Sequence, residues 1–567
     1  MMRRPDLSDW TQAPCDVLVI GGGATGLGVA VQAALEGRSV VLAEARDFAC
    51  GTSSRSTKLL HGGVRYLAQG RIKLVREALR ERATVLGLAP HLAQPLPFVV
   101  HERRWWSWAI TALGLKLYEW LAGRLSLGAT QALSGAALRR SGEALPGTVA
   151  GVRYWDGQFE DARLALALAQ TAQAAGARVR NHVRVVAMAR HEQGWQVTLQ
   201  DGLNGQQATV QARCVVNAAG VWVDALRQLA LASAPQPSAA TGTWAAPGGA
   251  VSGVVLDAAS GALSSSAAAA PSPSAAALHA LPALVRPSQG VHLVVDRARW
   301  PLNEAVLVPR TSDGRVLFAV PWLGATVIGT TDTPRDDAPL EPRPMAQEWA
   351  FLLGETERAL GVRLQPADVK SVWVGLRPLV DSGQSGQTAQ MSREHLIVRE
   401  APGFVTVTGG KWTTYRSMAQ EVMATCVAAG DLPVAARPAH TESHALFGAP
   451  PAGGAATSLR AAPGVHLFGT QAAQASCGPG SDEPLGLGLT AAMVRYCART
   501  EWAVTVEDML ARRWRVLFLD ARLAQQMAPR VAQLLQEETG LDPALPDFLA
   551  LCQQYQWRPS DAAGAPT

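Results

Sequence analysis

The period of the apolar positions changes several times along this chain, and each change predicts an element. Residues 17–20 (VLVI) are dense in β-branched side chains, as in a strand buried on both faces, and 24–36 has helical composition, which leaves Gly21 to Gly23 as the tight turn between them. A second apolar run, 39–43, supplies a parallel strand that ends at Glu44. Over 71–88 the apolar residues Ile72, Val75, Leu79, Ala83 and Leu86 recur at helical spacing, predicting a surface helix. Over 103–124 Trp106, Ile110, Leu113, Leu117, Trp120 and Leu121 share one helical face, with basic residues at both ends. A helix is predicted over 163–176, a hairpin over 184–200 with its turn near Gly194–Trp195, and a buried strand over 214–220 (CVVNAAG) that ends in small residues. Four short strands at 291–296, 305–310, 316–321 and 325–330 suggest an antiparallel sheet. Segments 372–379 and 404–408 are expected to return the chain to its first unit, ahead of a helix over 412–426 and helical patterns over 490–518 and 523–538.

The strand, turn and helix at the start carry chemistry. Gly21, Gly23 and Gly26 form G-x-G-x-x-G, in which the glycines allow the turn, the approach of a pyrophosphate and close helix packing. The helix N-terminus then faces the phosphates, and Glu44 is placed to accept from a ribose 2′-hydroxyl. An acid rather than a base at that position argues against NADP and leaves FAD and NAD. The glycine pattern alone is weak; between these elements, and followed by the acid, it is strong. After Glu44 a nicotinamide enzyme would continue with another β-α-β unit, whereas this chain enters a small, hydroxyl-rich stretch, GTSSRSTKLLHGGVRYL at 51–67, suited to lie against a ligand.

That stretch, joined to the upstream GGGATGLG, closely resembles the FAD-dependent glycerol-3-phosphate dehydrogenases. YWDGQFEDARL from Tyr154, IGTTD at 328–332, WVGLRPL at 373–379 and GGKWTTYR from Gly409 extend the likeness. It implies an α/β fold: a Rossmann-like FAD-binding domain assembled from 14–90, 150–228 and 366–428, an antiparallel-sheet substrate domain from 91–149 and 288–365, and a C-terminal helical domain over 436–560. The expected cofactor contacts are Gly21, Gly22, Gly23, Gly26, Glu44, Thr52, Ser53, Ser54, Lys58, His61, Gly62, Gly63, Ala219, Gly220, Gly410, Lys411 and Thr413. Arg65, Arg377 and Arg393 match the family's arginines, with Tyr66 and Lys411 beside them, and planar guanidinium groups suit a phosphate. His292 matches a family histidine suited to act as base, with Arg377 and Lys411 as its catalytic companions. His61 is read as shaping the cofactor site. Each arginine alone would more often be a solvated or ion-paired residue; four separate matching motifs favour the functional reading.

Composition narrows the remaining choices. At 567 residues and 48% hydrophobic the chain can hold two or three cored domains. Seven scattered cysteines without a C-x-x-C pair indicate neither a disulfide framework nor a metal site. An excess of 51 basic over 46 acidic residues is too small to imply nucleic acid, but suits an anionic substrate or membrane face. No secretory signal or apolar run of about 18 residues is seen. The 103–124 helix by itself reads as packed on its own domain; the resemblance, to peripheral membrane enzymes that reduce a quinone, turns it toward a membrane interface on the cytoplasmic side of the inner (plasma) membrane. Residues 232–283, rich in Ala, Ser, Pro and Gly, are expected to be a disordered insertion where the family has a short connection. An oxidase using oxygen and a flavin-binding scaffold without turnover are the alternatives. A homodimer is compatible with the sequence, which does not fix the oligomeric state.

Overall fold

The computed structural model describes residues 7–68, 70–140, 145–232, 255–257, 281–381, 394–451, 453–454 and 456–559, with the backbone alone at 65, 68 and 255–257. The buried run Cys15–Ile20 is the middle of the first sheet. It pairs in parallel with Val40–Ala43 on one side and Gln207–Asn217 on the other, with Val17 opposite both Val40 and Cys214. The sheet continues in parallel through Arg178–Arg180 at one end and Phe404–Gly409 at the other. His395–Ala401 then pairs antiparallel with Phe404–Gly409, and the hairpin of Val183–His191 and Gly194–Asp201 folds off Gln207–Asn217. Helices Ala24–Leu35, Asp161–Ala174 and Tyr415–Ala428 pack together against this sheet, with Gly28 of the first against Tyr415 at the start of the last.

The second sheet has ten strands among the described residues and is wider than the four-strand expectation. Its described pairs are antiparallel except for Ala305–Val308 beside Ala93–Glu102. Three assignments change. Val369–Val380, expected in the cofactor unit, pairs along its length with Val285–Asp296 in this sheet. Ala150–Phe159 and Leu59–Leu60 also lie here, paired with each other and, for the former, with Ala93–Glu102. Their sequences carry the apolar content of buried strands but say nothing about which distant strand completes their hydrogen bonds. Val285–Asp296 begins six residues before its predicted start at 291 (285 against 291), because Val285 to Gly290 are paired with Leu376 to Val380 and their neighbours.

Most of the expected insertion, 233–254 and 258–280, lies outside the described residues. Within it Val255–Asp257 forms a parallel strand against Ile397–Arg399, so 232–283 is not wholly without structure.

The C-terminal helical pattern breaks where 490–518 was read as continuous. Ala491–Thr500 ends, Asp508–Arg513 forms a wide turn, and Val516–Leu519, Ala521–Thr539 and Leu545–Tyr555 follow. Asp520 caps the long helix through the N–H groups of Arg522 and Leu523. This region shares one hydrophobic core with the first sheet, from Val17 and Leu27 to Trp514, Leu534 and Phe548, and is therefore not an appended module.

Candidate active site

Two glycines of the G-x-G-x-x-G motif, one in the turn and one in the helix, have no room for a side chain. Gly21 has φ +113° and a Cβ there would stand 2.6 Å from the Ala218 carbonyl, while one at Gly26 would collide with the Gly21 carbonyl. Helix Ala24–Leu35 receives no side-chain cap from Gly23; its Ala24 N–H donates to Ser53 Oγ at 3.0 Å. The hydroxyl-rich loop is thereby drawn to the end of the helix that favours anions. At the end of the second strand the Glu44 carboxylate accepts from the N–H of Gly22 at 2.6 Å and of Arg46 at 2.8 Å. Burial raises its pKa, and these two bonds oppose the rise.

From Ser53 the loop runs between the two sheets. Thr52 Oγ1 donates to the Leu376 carbonyl at 2.6 Å, and Trp412 Nε1 donates to the Ser53 carbonyl at 2.8 Å. The second glycine turn, Gly409 and Gly410 at φ +75° and +72°, is thus fastened over the loop. Thr408 Oγ1 donates to the Gly220 carbonyl at 3.4 Å, which brings in Ala219 and Gly220. Gly220 has φ +61° and nothing within 4 Å of where its Cβ would stand, so this backbone borders open space. Lys411 Nζ sits 3.9 Å from the Tyr66 ring centre, beside Gly63. The Gly62 N–H donates to Tyr118 Oη at 2.8 Å, and Tyr118 in turn donates to Asp156 at 2.9 Å. Gly21, Gly22, Gly23, Glu44, Thr52, Ser53, Gly62, Gly63, Tyr66, Ala219, Gly220, Gly410 and Lys411 are therefore gathered by one loop, two glycine turns and the ends of two strands, and His61 is half-buried beside Gly62 in the loop.

Arg377 and His292 lie on neighbouring strands. A side chain at Gly290 would collide with the Arg377 guanidinium, and Gly290 and His292, two residues apart, face the same side of the sheet. Arg377 Nη2 donates to Thr330 Oγ1 at 2.9 Å and to the Thr331 carbonyl at 3.0 Å, with Asp332 at 3.6 Å from Nη1. His292 is 2% exposed and stacks on Trp373 with ring centres 4.1 Å apart. Burial, then the charges of Lys58 and Arg377, hold its pKa well below the ordinary value and keep the ring neutral.

Three expected cofactor contacts are not brought to the open space. Lys58 is fully buried, 2.7 Å from Asp161 and from the Ser54 carbonyl, with its ammonium 4.7 Å from the Trp373 ring centre. Burial pushes it down to about 7, partly offset by Asp161. It closes a shell of its own because a buried ammonium needs an acid and carbonyls around it. Ser54 and Thr413 are 1% and 2% exposed, sealed behind the loop and the second turn. Arg393 and the side chain of Arg65 lie outside the described residues. Sequence reasoning gave no role to Thr57, Tyr118 or Thr330, although each lies in a stretch it singled out: 51–67, 103–124 and IGTTD at 328–332.

Comparison with known proteins meets this geometry. Residues 16–243 and 241–416 match the family described as FAD dependent oxidoreductase, and 467–545 match the C-terminal domain of alpha-glycerophosphate oxidase. A mitochondrial glycerol-3-phosphate dehydrogenase of Arabidopsis thaliana is 34% identical over 93% of this chain and 84% of its own length. The chain belongs to the FAD-dependent glycerol-3-phosphate dehydrogenases. The mitochondrial enzyme of Homo sapiens is 35% identical over 93% of this chain and 71% of its own. The glycerol-3-phosphate dehydrogenase of Bacillus halodurans, solved with FAD, superposes with a TM-score of 0.69 at 26% identity, covering 97% of each chain.

The cofactor of this family is FAD. The residues fit it: a side-chain-free turn at a helix N-terminus, an acid at the end of the second strand, and glycine backbone bordering open space at Gly220.

Proposed function

We propose that this chain oxidises sn-glycerol 3-phosphate at C2 to dihydroxyacetone phosphate and hands the electrons to a quinone at a membrane surface. The observation that carries the reading is Arg377, a half-buried guanidinium beside a neutral imidazole on the same face of one sheet. A fork of this kind binds phosphate oxygens pairwise. Arg65, Arg393, Tyr66 and Lys411 complete the substrate pocket in this reading. FAD, when bound, supplies the two-electron acceptor for the hydride leaving C2. Lys411, at the second glycine turn, holds positive charge where negative charge develops. His292, kept neutral, takes the C2 hydroxyl proton.

Helix Trp105–Ala122 supports the membrane part. Leu115, Tyr118 and Ala122 hold it to the protein, while Trp105, Ile110, Leu113 and Trp120 are 76%, 66%, 75% and 69% exposed. Arg103, Arg104 and Arg124 are exposed at its two ends. An apolar face with basic ends suits an anionic lipid surface, on the cytoplasmic side of an inner (plasma) membrane. Among the described residues no helix is long and apolar enough to cross a membrane.

The 467–545 match bears the name of an oxidase domain, so oxygen is the rival acceptor. The test is to purify the flavin-loaded protein and add glycerol 3-phosphate without air. Bleaching of the flavin spectrum is expected; none would leave the scaffold reading. Reoxidation of the bleached protein by a short-chain quinone, with little peroxide in air, separates dehydrogenase from oxidase. Light scattering of the same sample reads whether it is a homodimer.

A further inference from the structure

Both nitrogens of His292 are enclosed. Nε2 is 3.0 Å from Thr57 Oγ1, and Nδ1 is buried with no hydrogen-bond partner among the described residues. Trp373 covers the ring at 4.1 Å, and a side chain at Gly329 would collide with the ring. A substrate hydroxyl therefore has no direct path to the imidazole. Thr57 is only half-buried and belongs to the same loop as Ser53, which reaches the helix N-terminus, and Thr52, which is fixed to the Leu376 carbonyl next to Arg377. The threonine hydroxyl thus joins the enclosed ring to the loop that faces the cofactor turn.

We propose that Thr57 is the relay through which His292 receives the substrate proton. The inference rests on the activity proposed above. The O–H bond of the C2 alcohol breaks and its proton binds Thr57 Oγ1; the Thr57 O–H bond breaks and that proton binds Nε2. The electron pair left on the C2 oxygen closes the carbonyl as the C2 hydrogen departs with its own pair to FAD, the oxidant of this family. The imidazolium then returns its proton through Thr57 to solvent. The neutral ring can take part only as the tautomer protonated on Nδ1, with its Nε2 lone pair toward Thr57. Lys58 and Arg377 oppose the imidazolium, and a phosphate dianion on Arg377 relieves part of that opposition. The relay therefore works best on a phosphorylated alcohol.

Stopped-flow reduction of the flavin-loaded protein by glycerol 3-phosphate, without air, tests this. Thr57→Val removes the hydroxyl and keeps the shape, so the reduction rate should fall roughly 10²- to 10³-fold, while flavin content and the thermal shift given by glycerol 3-phosphate stay near parent values. Thr57→Ser should recover most of the rate. Thr57→Val combined with His292→Asn should be no slower than the slower single variant, since the two act as one path. In the parent protein, reduction in mixtures of light and heavy water should show two protons in flight. A Thr57→Val protein reduced as fast as the parent overturns the relay, as do multiplicative losses in the double variant or a one-proton dependence in the parent. If Thr57→Val loses its flavin, the Ser variant and the parent's isotope dependence decide alone. A parent protein that glycerol 3-phosphate does not bleach overturns the activity itself, a different outcome from a bleaching parent with a fast Thr57→Val.

Discussion

Two regions of this molecule invert the usual order of polar and apolar groups, in opposite directions. Behind the cofactor loop, charges fill the interior: Lys58, Glu160, Asp161 and Arg515 have fully buried side chains, with Lys58 2.7 Å from Asp161 and Arg515 3.0 Å from Glu160. Nearby Arg512 and Arg513 both bind Asp47 with almost no exposure. Along Trp105–Ala122, by contrast, tryptophan and leucine stand in solvent on a helix held by three buried residues. A buried charge costs several kcal/mol unless it is paired, and it then fixes geometry more than it adds stability. An exposed apolar stripe costs little in the free protein and marks a surface that meets something apolar. The first region is a lock within the molecule; the second is a contact awaiting a partner.

The lock has a clear direction. Arg515 Nη2 donates to the Ser54 carbonyl at 2.6 Å, and its guanidinium packs 3.9 Å from the Phe518 ring centre. The C-terminal helices, through this residue and through Arg512 and Arg513, reach the rear of the segment that carries Asp47 to Lys58. Arg515→Met would remove the cation and leave two buried acids facing Lys58 alone. The expected loss is about 3 to 5 kcal/mol of unfolding free energy, accompanied by easier release of flavin on gel filtration. Unchanged urea midpoint and flavin retention would mean that the buried charges are not coupled to the loop.

Arg377, on the second sheet, gives the next effect. Arg377→Ala should lower kcat/KM for glycerol 3-phosphate by about 2 to 4 kcal/mol, mainly through KM, with flavin still bound. Steady-state kinetics with a soluble dye as acceptor checks it. Unaltered kinetics would move phosphate recognition to other residues.

Acid probes the buried polar groups without mutation. Burial lowers His91 from 6.5 to about 4, helped by Arg163, and lowers His101 to about 4. The folded values lie below the unfolded one, so between about pH 6.5 and 4 the unfolded chain binds protons that the folded chain refuses. Stability is complete above about pH 6.5 and falls with pH, with His91 alone contributing a loss of about 2 kcal/mol by pH 5. His91 lies against Gly448 and Gly469, where the C-terminal region begins its packing. His91→Gln should flatten this part of the stability profile, and a profile of unchanged slope would remove His91 from the account.

What could be read from the sequence follows the same division. Local features were legible: the glycine turn with Glu44, the second turn at Gly409 to Lys411, and the helix whose outward face carries Trp106, Ile110 and Leu113. Each of these is written within a few residues. Features that depend on distant partners were not. Lys58 has the same type of neighbours as Ser53 in sequence, yet Asp161, 103 residues away, pulls its ammonium to the other side of the loop. Val369–Val380 looks like any buried strand, and only its pairing with Val285–Asp296 assigns it to the second sheet. Arg512, Arg513 and Arg515 sit in a run whose helical pattern gives no sign of their burial, which is set by acids more than 350 positions earlier, as Arg515 with Asp161 at a separation of 354 shows. The histidine was singled out by its motif, but its enclosure by Trp373 and Thr57 comes from two other segments.

The smallest effect on stability is expected where the apolar groups are exposed, and it separates the two regions most sharply. Trp106, Ile110 and Leu113 are 49%, 66% and 75% exposed, so replacing all three with serine removes little buried area. Serine lowers helix propensity by a few tenths of a kcal/mol per site, and the unfolding midpoint should move correspondingly little. The anchors Leu115, Tyr118 and Ala122 are untouched, so the Gly62 N–H keeps its bond to Tyr118 and reduction by glycerol 3-phosphate should proceed at the parent rate. Cosedimentation with vesicles containing anionic lipid should nevertheless be lost, because the buried apolar face supplies most of the free energy of interfacial binding. Raising the salt concentration on the parent protein then apportions the remainder to Arg103, Arg104 and Arg124, since screening weakens the basic ends and leaves the apolar face unaffected. A serine variant that still sediments with vesicles would assign the membrane contact elsewhere and return this stripe to a protein partner.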